Sequence, residues 1–304
     1  MLKSMKAALL TRFIPFVLLF AAIEPVRGQS GGLFAPNPSS FRGQPTLFTW
    51  SGSGENEGGP PALDEPLASD RPDFTEASST VGRGVVQIET GYTFVRDKRG
   101  GEVTDTHSFP ETLFRVGMFA DWFEFRFAYN HGVQNVAPVG LPVSRFAGGE
   151  DIYLGSKLML TGQRGILPEM SLMPQMTVPT GHGAFSGSEV LPGINWLYGW
   201  DITDWLSMGG SSQVNKGTDD DGSNYYEYAQ SWTFGFGLTE RLSMYTEWFA
   251  LMPSGALAAK PEYYFDGGFT FSVTNNLQLD VRGGAGLNGA ADDYFIGSGA
   301  VVRF

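Results

Sequence analysis

Residues Trp122 to Asn130 read "WFEFRFAYN", placing Phe123, Phe125, Phe127 and Tyr129 at every second position with Glu124, Arg126, Ala128 and Asn130 between them. Strict alternation over this length is a strand with two different faces. Which face is wet decides the fold. A soluble sandwich turns the aromatics into a core, whereas a membrane barrel turns them out to lipid and keeps the charges inside.

The rest of the chain supports many such strands. It has 304 residues, with 41 Gly, 24 Phe, 11 Tyr and 7 Trp, and only 17% of residues are charged, a composition suited to strands and tight turns. About twelve alternating runs can be counted after residue 84. Val86, Ile88, Tyr92 and Phe94 stand against Gln87, Glu89 and Thr93, and Tyr263, Phe265, Phe269 and Phe271 against Tyr264, Asp266, Gly268 and Thr270. Short joints fall at Phe119 to Asp121, Asp201 to Asp204, Leu238 to Arg241 and Val273 to Asn276. Longer polar stretches, read as loops, lie between them at 97–106, 131–148, 181–189, 215–224, 253–260 and 286–292. Short turns at one end and long loops at the other are the pattern of an outer-membrane barrel.

Aromatic position agrees with this. Trp122, Trp200 and Trp205 sit beside short joints, while Tyr226, Tyr228, Tyr263 and Tyr294 sit near the long-loop ends. Rings collected at two levels match two headgroup interfaces. The chain ends "GSGAVVRF", a last strand closing on an outward Phe304. In a bilayer the sheet must close on itself, so the expected fold is all-β, a closed antiparallel up-and-down transmembrane β-barrel of about twelve strands over residues 84–304.

The first 28 residues carry Lys3, Lys6 and Arg12 before an apolar run from Phe13 to Ile23, with Val26 and Gly28 at a cleavage site. This is expected to be a secretory signal peptide. Its removal takes the formal net charge from −12 to about −15, which disfavours nucleic acid as a partner. Residues 29–83, rich in Gly, Pro and Ser, read as a periplasmic tail or linker, with one apolar patch at Pro45 to Trp50. A segment tucked into the barrel mouth is the alternative. The absence of cysteine excludes thiol catalysis and thiolate metal sites.

The stretch "SDRPDFTEASSTVGRGVVQIETGY", Ser69 to Tyr92, resembles the opening of a family of bacterial outer-membrane proteins named for the meta-pathway of phenol degradation. The segments "ETLFRVGMFADWFEFRFAYNHG", "GGEDIYLGSKLML", "MTVPTGHG" and "DDYFIGSGAVVRF" resemble the same family, so the resemblance covers nearly all of residues 69–304. It implies a barrel in the outer membrane of a Gram-negative-type bacterium that passes small organic molecules, aromatic compounds among them. It brings no defined set of functional residues.

The inward set carries Glu89, Glu111, Glu124, Asp151, Glu169, Glu227, Glu247, Asp266 and Asp280 against Arg115, Arg126, Lys157, Arg282 and Arg303. Around the joint at Phe119 to Asp121, antiparallel pairing brings Arg115 beside Glu124 or Arg126. Two readings compete: ion pairs that fill and rigidify the interior, or a charged constriction that sets selectivity. The candidate constriction residues are Arg115, Glu124, Arg126, Lys157 and Glu169. The function expected is a narrow channel for small solutes, not an enzyme, with lipid and the barrel-assembly machinery as partners and no cofactor.

Two alternatives stand beside this reading. His107, His131 and His182, with carboxylates such as Asp105, all map to the long-loop end and could build a hydrolase site there, although no G-x-S-x-G or H-E-x-x-H motif is present. A structural or adhesive barrel with acidic loops and a plugged lumen is the other. "TDDDGSNYY" is similar to a Ca²⁺ loop but has Gly217 in place of the leading acid and Tyr228 where the bidentate Glu belongs.

Overall fold

A computed structural model describes residues 23–25, 45–51, 57–187, 189–219 and 222–304. The signal peptide expected at 1–28 lies outside these residues except for Ile23–Pro25, as do Asp220 and Asp221 of the acidic loop.

Twelve antiparallel strands form one closed sheet. They are β1 (Val86–Arg99), β2 (Glu102–Ser108 continued by Thr112–Gly117), β3 (Phe123–Tyr129 continued by His131–Pro138) and β4 (Ser144–Gly149 continued by Ile152–Thr161). There follow β5 (Glu169–Val178), β6 (Leu191–Thr203), β7 (Leu206–Thr218) and β8 (Asn224–Gly237). The last four are β9 (Leu242–Ser254), β10 (Glu262–Thr274), β11 (Leu277–Gly286) and β12 (Tyr294–Arg303). Each pairs with its neighbour in sequence, and β12 closes on β1 from Tyr294 opposite Arg96 to Arg303 opposite Gln87. Closure leaves no open edge in the hydrocarbon layer. The break in β2 falls at Phe109–Pro110, where proline has no N–H to give the ladder, and Glu111 resumes pairing by exchanging both backbone hydrogen bonds with Gly91.

The two faces are inverted relative to a soluble protein. Gln87, Glu89, Arg115, Glu124, Arg126, Lys157 and Glu247 are buried, whereas Phe125, Tyr129, Phe265, Phe271, Val281 and Ile296 are exposed. Phe123, Phe125, Phe127 and Tyr129 therefore face lipid, while Glu124 and Arg126 face the lumen, as a barrel requires.

Some stretches read as long loops are strand instead. Residues 97–106 are a hairpin: β1 continues to Arg99 and β2 begins at Glu102, with Gly100 and Gly101 both at positive φ in the two-residue turn. Likewise β3 and β4 extend over much of 131–148, and β7 and β8 over the ends of 215–224. Their polar side chains read as loop because nothing apolar marks strand that projects beyond the membrane.

Residues 57–83 depart from the tail expectation. They run inside the barrel, entering beside the β4–β5 turn, where Glu57 pairs with Gln163, and crossing the short-turn end to Asn275, whose carbonyl accepts the Leu67 N–H. The chain climbs to Phe74 near the middle of β9, then descends past Ser78 on β5 to Thr80 beside Asp121. Composition could not separate this path from disorder, because both are polar and aperiodic. Trp50, by contrast, packs outside on a cluster with Met170 and Tyr198, its indole N–H donating to the Pro168 carbonyl.

Candidate functional site

Four of the five candidate residues meet at one point, and the meeting follows from register. The β2–β3 pairing sets Arg115 opposite Arg126, and the β3–β4 pairing sets Glu124 opposite Lys157. Two arginines facing each other across a ladder repel, so the arrangement demands anions. Glu124 supplies one: its carboxylate accepts Arg115 Nε at 2.8 Å and Nη2 at 3.0 Å, and Arg126 Nη1 at 3.0 Å.

The second anion comes from the internal segment. Asp70 lies 2.5 Å from Arg126 Nη1, 3.0 Å from Lys157 Nζ and 3.3 Å from Arg115 Nε. Burial opposes its charge, but the three cations win and hold its carboxyl well below the usual range. Around it the backbone of the segment is read by the same groups. Arg115 donates to the carbonyls of Ala68 and Ser79, Lys157 to that of Ala77 at 2.7 Å, and the Val81 N–H donates to Glu124. Buried charges are tolerable only when paired and hydrogen-bonded in this way.

Glu169, the fifth candidate, is not part of this cluster. At the start of β5 it accepts Ser78 Oγ at 2.7 Å and the Gly59 N–H at 3.3 Å.

The opposite wall holds the segment differently. Glu247 accepts the N–H groups of Phe74 and Thr75 at 2.6 and 2.7 Å. The Phe74 ring stacks on Phe249, centroids 4.6 Å apart and nearly parallel, and Phe249 stacks on Tyr264 at 4.7 Å. Phe295 and Ala291 complete this apolar cluster inside the lumen. Between the two walls Arg71 grips Asp280 through Nε and Nη2, both at 3.2 Å, and Glu111 at 3.0 Å. Arg282 donates to the Pro72 carbonyl. Asp70, Arg71 and Phe74 had no place in the sequence reading. The available signal was the inward set itself, in which Arg115 and Arg126 gather carboxylates from beyond their own hairpin, Glu89 on β1 as well as Asp70 and Glu76 on the segment.

Above the segment, toward the loop end, a cavity of about 310 Å³ opens, with Tyr153, Gln175, Asn215, Tyr225 and Glu227 in its lining.

The histidines do not converge into a site. His107 Nδ1 is 2.8 Å from Tyr92 Oη and its ring packs on Phe94, while His182 lies against Gly148 before the short turn Gly183–Phe185. Among the described residues no group of three His, Cys, Asp or Glu could hold a metal ion.

This geometry can be set beside known proteins. The family model described as putative MetA-pathway of phenol degradation matches residues 69–304. No curated protein sequence matches the chain. Among solved structures, an outer membrane channel from Pseudomonas putida F1 is similar over 77% of this chain and 99% of its own, with 12% identity and a TM-score of 0.56. The NanC porin and the KdgM porin each match over 72% of this chain, covering 100% and 99% of their own, with 9% and 10% identity and TM-scores of 0.44. What the chain shares with that channel is its fold, a closed antiparallel β-barrel. The match over residues 69–304 begins within the internal segment and runs to the last residue, and the chain belongs to the family of the putative MetA-pathway of phenol degradation.

Proposed function

We propose that the protein is a narrow outer-membrane channel for passive passage of small solutes, hydrophobic and aromatic compounds among them, with residues 57–83 as its internal gate. The observation that supports this most is how the segment is held. Its contacts with the wall are largely hydrogen bonds and ion pairs to lumen side chains, which water can replace, each hydrogen bond to a charged group having a net worth of about 1.5–3 kcal/mol. A segment fastened this way can leave without unfolding the barrel, whose own strands are paired through the backbone. Arg115, Glu124, Arg126 and Lys157 then act as the seat of the gate, and line the constriction once it is displaced.

The chain has no cysteine, so a lock can be built cleanly. Thr75 Oγ1 and Ser231 Oγ are 2.6 Å apart. In a Thr75→Cys/Ser231→Cys variant, oxidation lowers single-channel conductance and liposome swelling, and reduction restores both. Equal conductance in the two redox states would remove the gate. A second reading, a permanently plugged structural barrel, draws on the same wall-to-wall contacts. Absence of conductance and of swelling in wild type and in the reduced variant would establish it.

A further inference from the structure

The cavity above the segment has a chemistry that the channel reading does not use. Register sets Gln175 opposite Gly155 and Gly193, Gly193 opposite Asn215, and Asn215 opposite Glu227, one lumen-facing row across β4 to β8. The glycines are where the room comes from. A Cβ at Gly155 would stand 2.6 Å from Tyr153 Oη, one at Gly193 1.9 Å from Asn215 Oδ1, and one at Gly217 2.4 Å from the Tyr225 ring. Three side chains thus lie flat along the wall on glycine shelves, and the space they would otherwise fill is left open.

The polar groups around that space are already ordered. Tyr153 Oη donates to Gln175 Oε1 at 3.1 Å, and Gln175 Nε2 donates to Asn215 Oδ1 at 2.8 Å. Glu227 is different. Its only hydrogen-bond neighbour among the contacts described is Tyr225 Oη at 3.5 Å, and among the described residues no arginine or lysine forms an ion pair with it. Two cations lie close by and are paired: Lys216, which itself lines the cavity, has its Nζ 2.7 Å from Glu189, and Arg126, below Tyr153, is matched by Asp70, Glu76 and Glu124. The other charges that Glu227 and Tyr225 experience, Glu262 and Asp219, are acids.

From these features we infer that the cavity is a binding site for small organic cations of the alkylammonium class. The carboxylate of Glu227 supplies the counter-charge, and the faces of Tyr225 and Tyr153 take the N-alkyl groups through cation–π contact. A volume of about 310 Å³ is at the small end of ligand pockets. It accommodates a whole small alkylammonium ion such as choline, with room for bridging water. The site opens on the loop side of the segment, so it loads from outside the cell, and its occupancy does not require conduction.

Equilibrium binding to the full chain in detergent tests this, with choline as the probe and 3,3-dimethylbutan-1-ol as its uncharged isostere. Choline binds saturably at one site per chain, and the isostere binds about tenfold or more weakly. Glu227→Gln and Tyr225→Leu each lose about tenfold or more, while Tyr225→Phe, which keeps the ring, retains binding. Heat-modifiable migration in gels shows which variants hold a folded barrel, and only those are compared. Absence of saturable choline binding by wild type, equal binding of the isostere, or unchanged binding in folded Glu227→Gln overturns the assignment. None of these outcomes bears on conductance, so the site and the channel reading fail separately.

Discussion

The two walls that grip the internal segment use opposite chemistries. On β2, β3 and β4, Arg115, Arg126 and Lys157 surround Asp70, and charge of each sign is matched within about a hydrogen bond's length. On β9 and β10, Phe249 and Tyr264 stack with Phe74, while Glu247 and Asp266 stand near Asp73 with no ion-pair partner among the described residues. One wall is therefore an ionic socket, complete only with the segment in it. The other is an aromatic clamp bordered by carboxylates that the segment brings closer together. A gate held by both can be loosened from either side, but by different agents.

Breaking the socket has the largest expected effect. Asp70→Asn leaves three buried cations short of an anion, and removing one partner of a buried pair costs about 3–5 kcal/mol. The expected outcome is a segment largely out of its seat, read as faster amide exchange over residues 68–81 and a higher open probability, with the barrel still heat-modifiable. Exchange unchanged from wild type would mean that the cations do not depend on Asp70.

Breaking the clamp comes next. Phe74→Ala removes one ring from the Phe74–Phe249–Tyr264 stack, and the burial and stacking lost are together worth about 2 kcal/mol. Exchange should quicken around residues 72–76 first, while Asp70 stays seated. Equal acceleration along the whole segment would show that the two walls act as one cooperative unit.

The effect that separates the walls best is that of pH. Burial first, and then the neighbouring carboxylate of Asp266, push Asp73 up to about 8 from its ordinary 3.8. A raised carboxyl favours its protonated form in the seated state. Its contribution to seating is present in full below the ordinary value and is lost as pH rises through about 8. Asp70 is shifted the other way, so its contribution is present above its ordinary value and fails only in acid. Between pH 5 and about 9 open probability should therefore rise with pH, and the rise should shrink in Asp73→Asn. A flat wild-type profile over that range would rule this out.

The wall was legible because lipid imposes a rule on every second residue. Phe123, Phe125 and Phe127 announce their strand unaided, and the inverted burial of Glu124 and Arg126 follows from it. Register around the β2–β3 turn was legible for the same reason. The contents of the lumen were not. Asp70, Arg71 and Phe74 lie in a stretch with no period, and their partners are up to 209 residues away, as in the Arg71–Asp280 contact. Nothing local distinguishes such a stretch from linker, since its order comes from the cavity it enters. The alternation set Tyr264 and Phe295 on the wet face, but not the cluster they form with Phe249, an apolar residue where that rule predicts a polar one.

The final strand closes the wall and also reaches the segment. Backbone bonds join Val86 and Phe304 in both directions, and the neighbouring Arg303 donates through Nη2 to the carbonyls of Leu63 and Glu65. Those two carbonyls lie where the segment crosses the short-turn end, ahead of every contact that it makes higher in the lumen. Arg303 and Phe304 thus serve the seam and the segment together: the strand end that seals the wall also holds the carbonyls of Leu63 and Glu65. With β12 unpaired, the wall would stand open and this crossing of the segment would lose its hold, so one strand secures both.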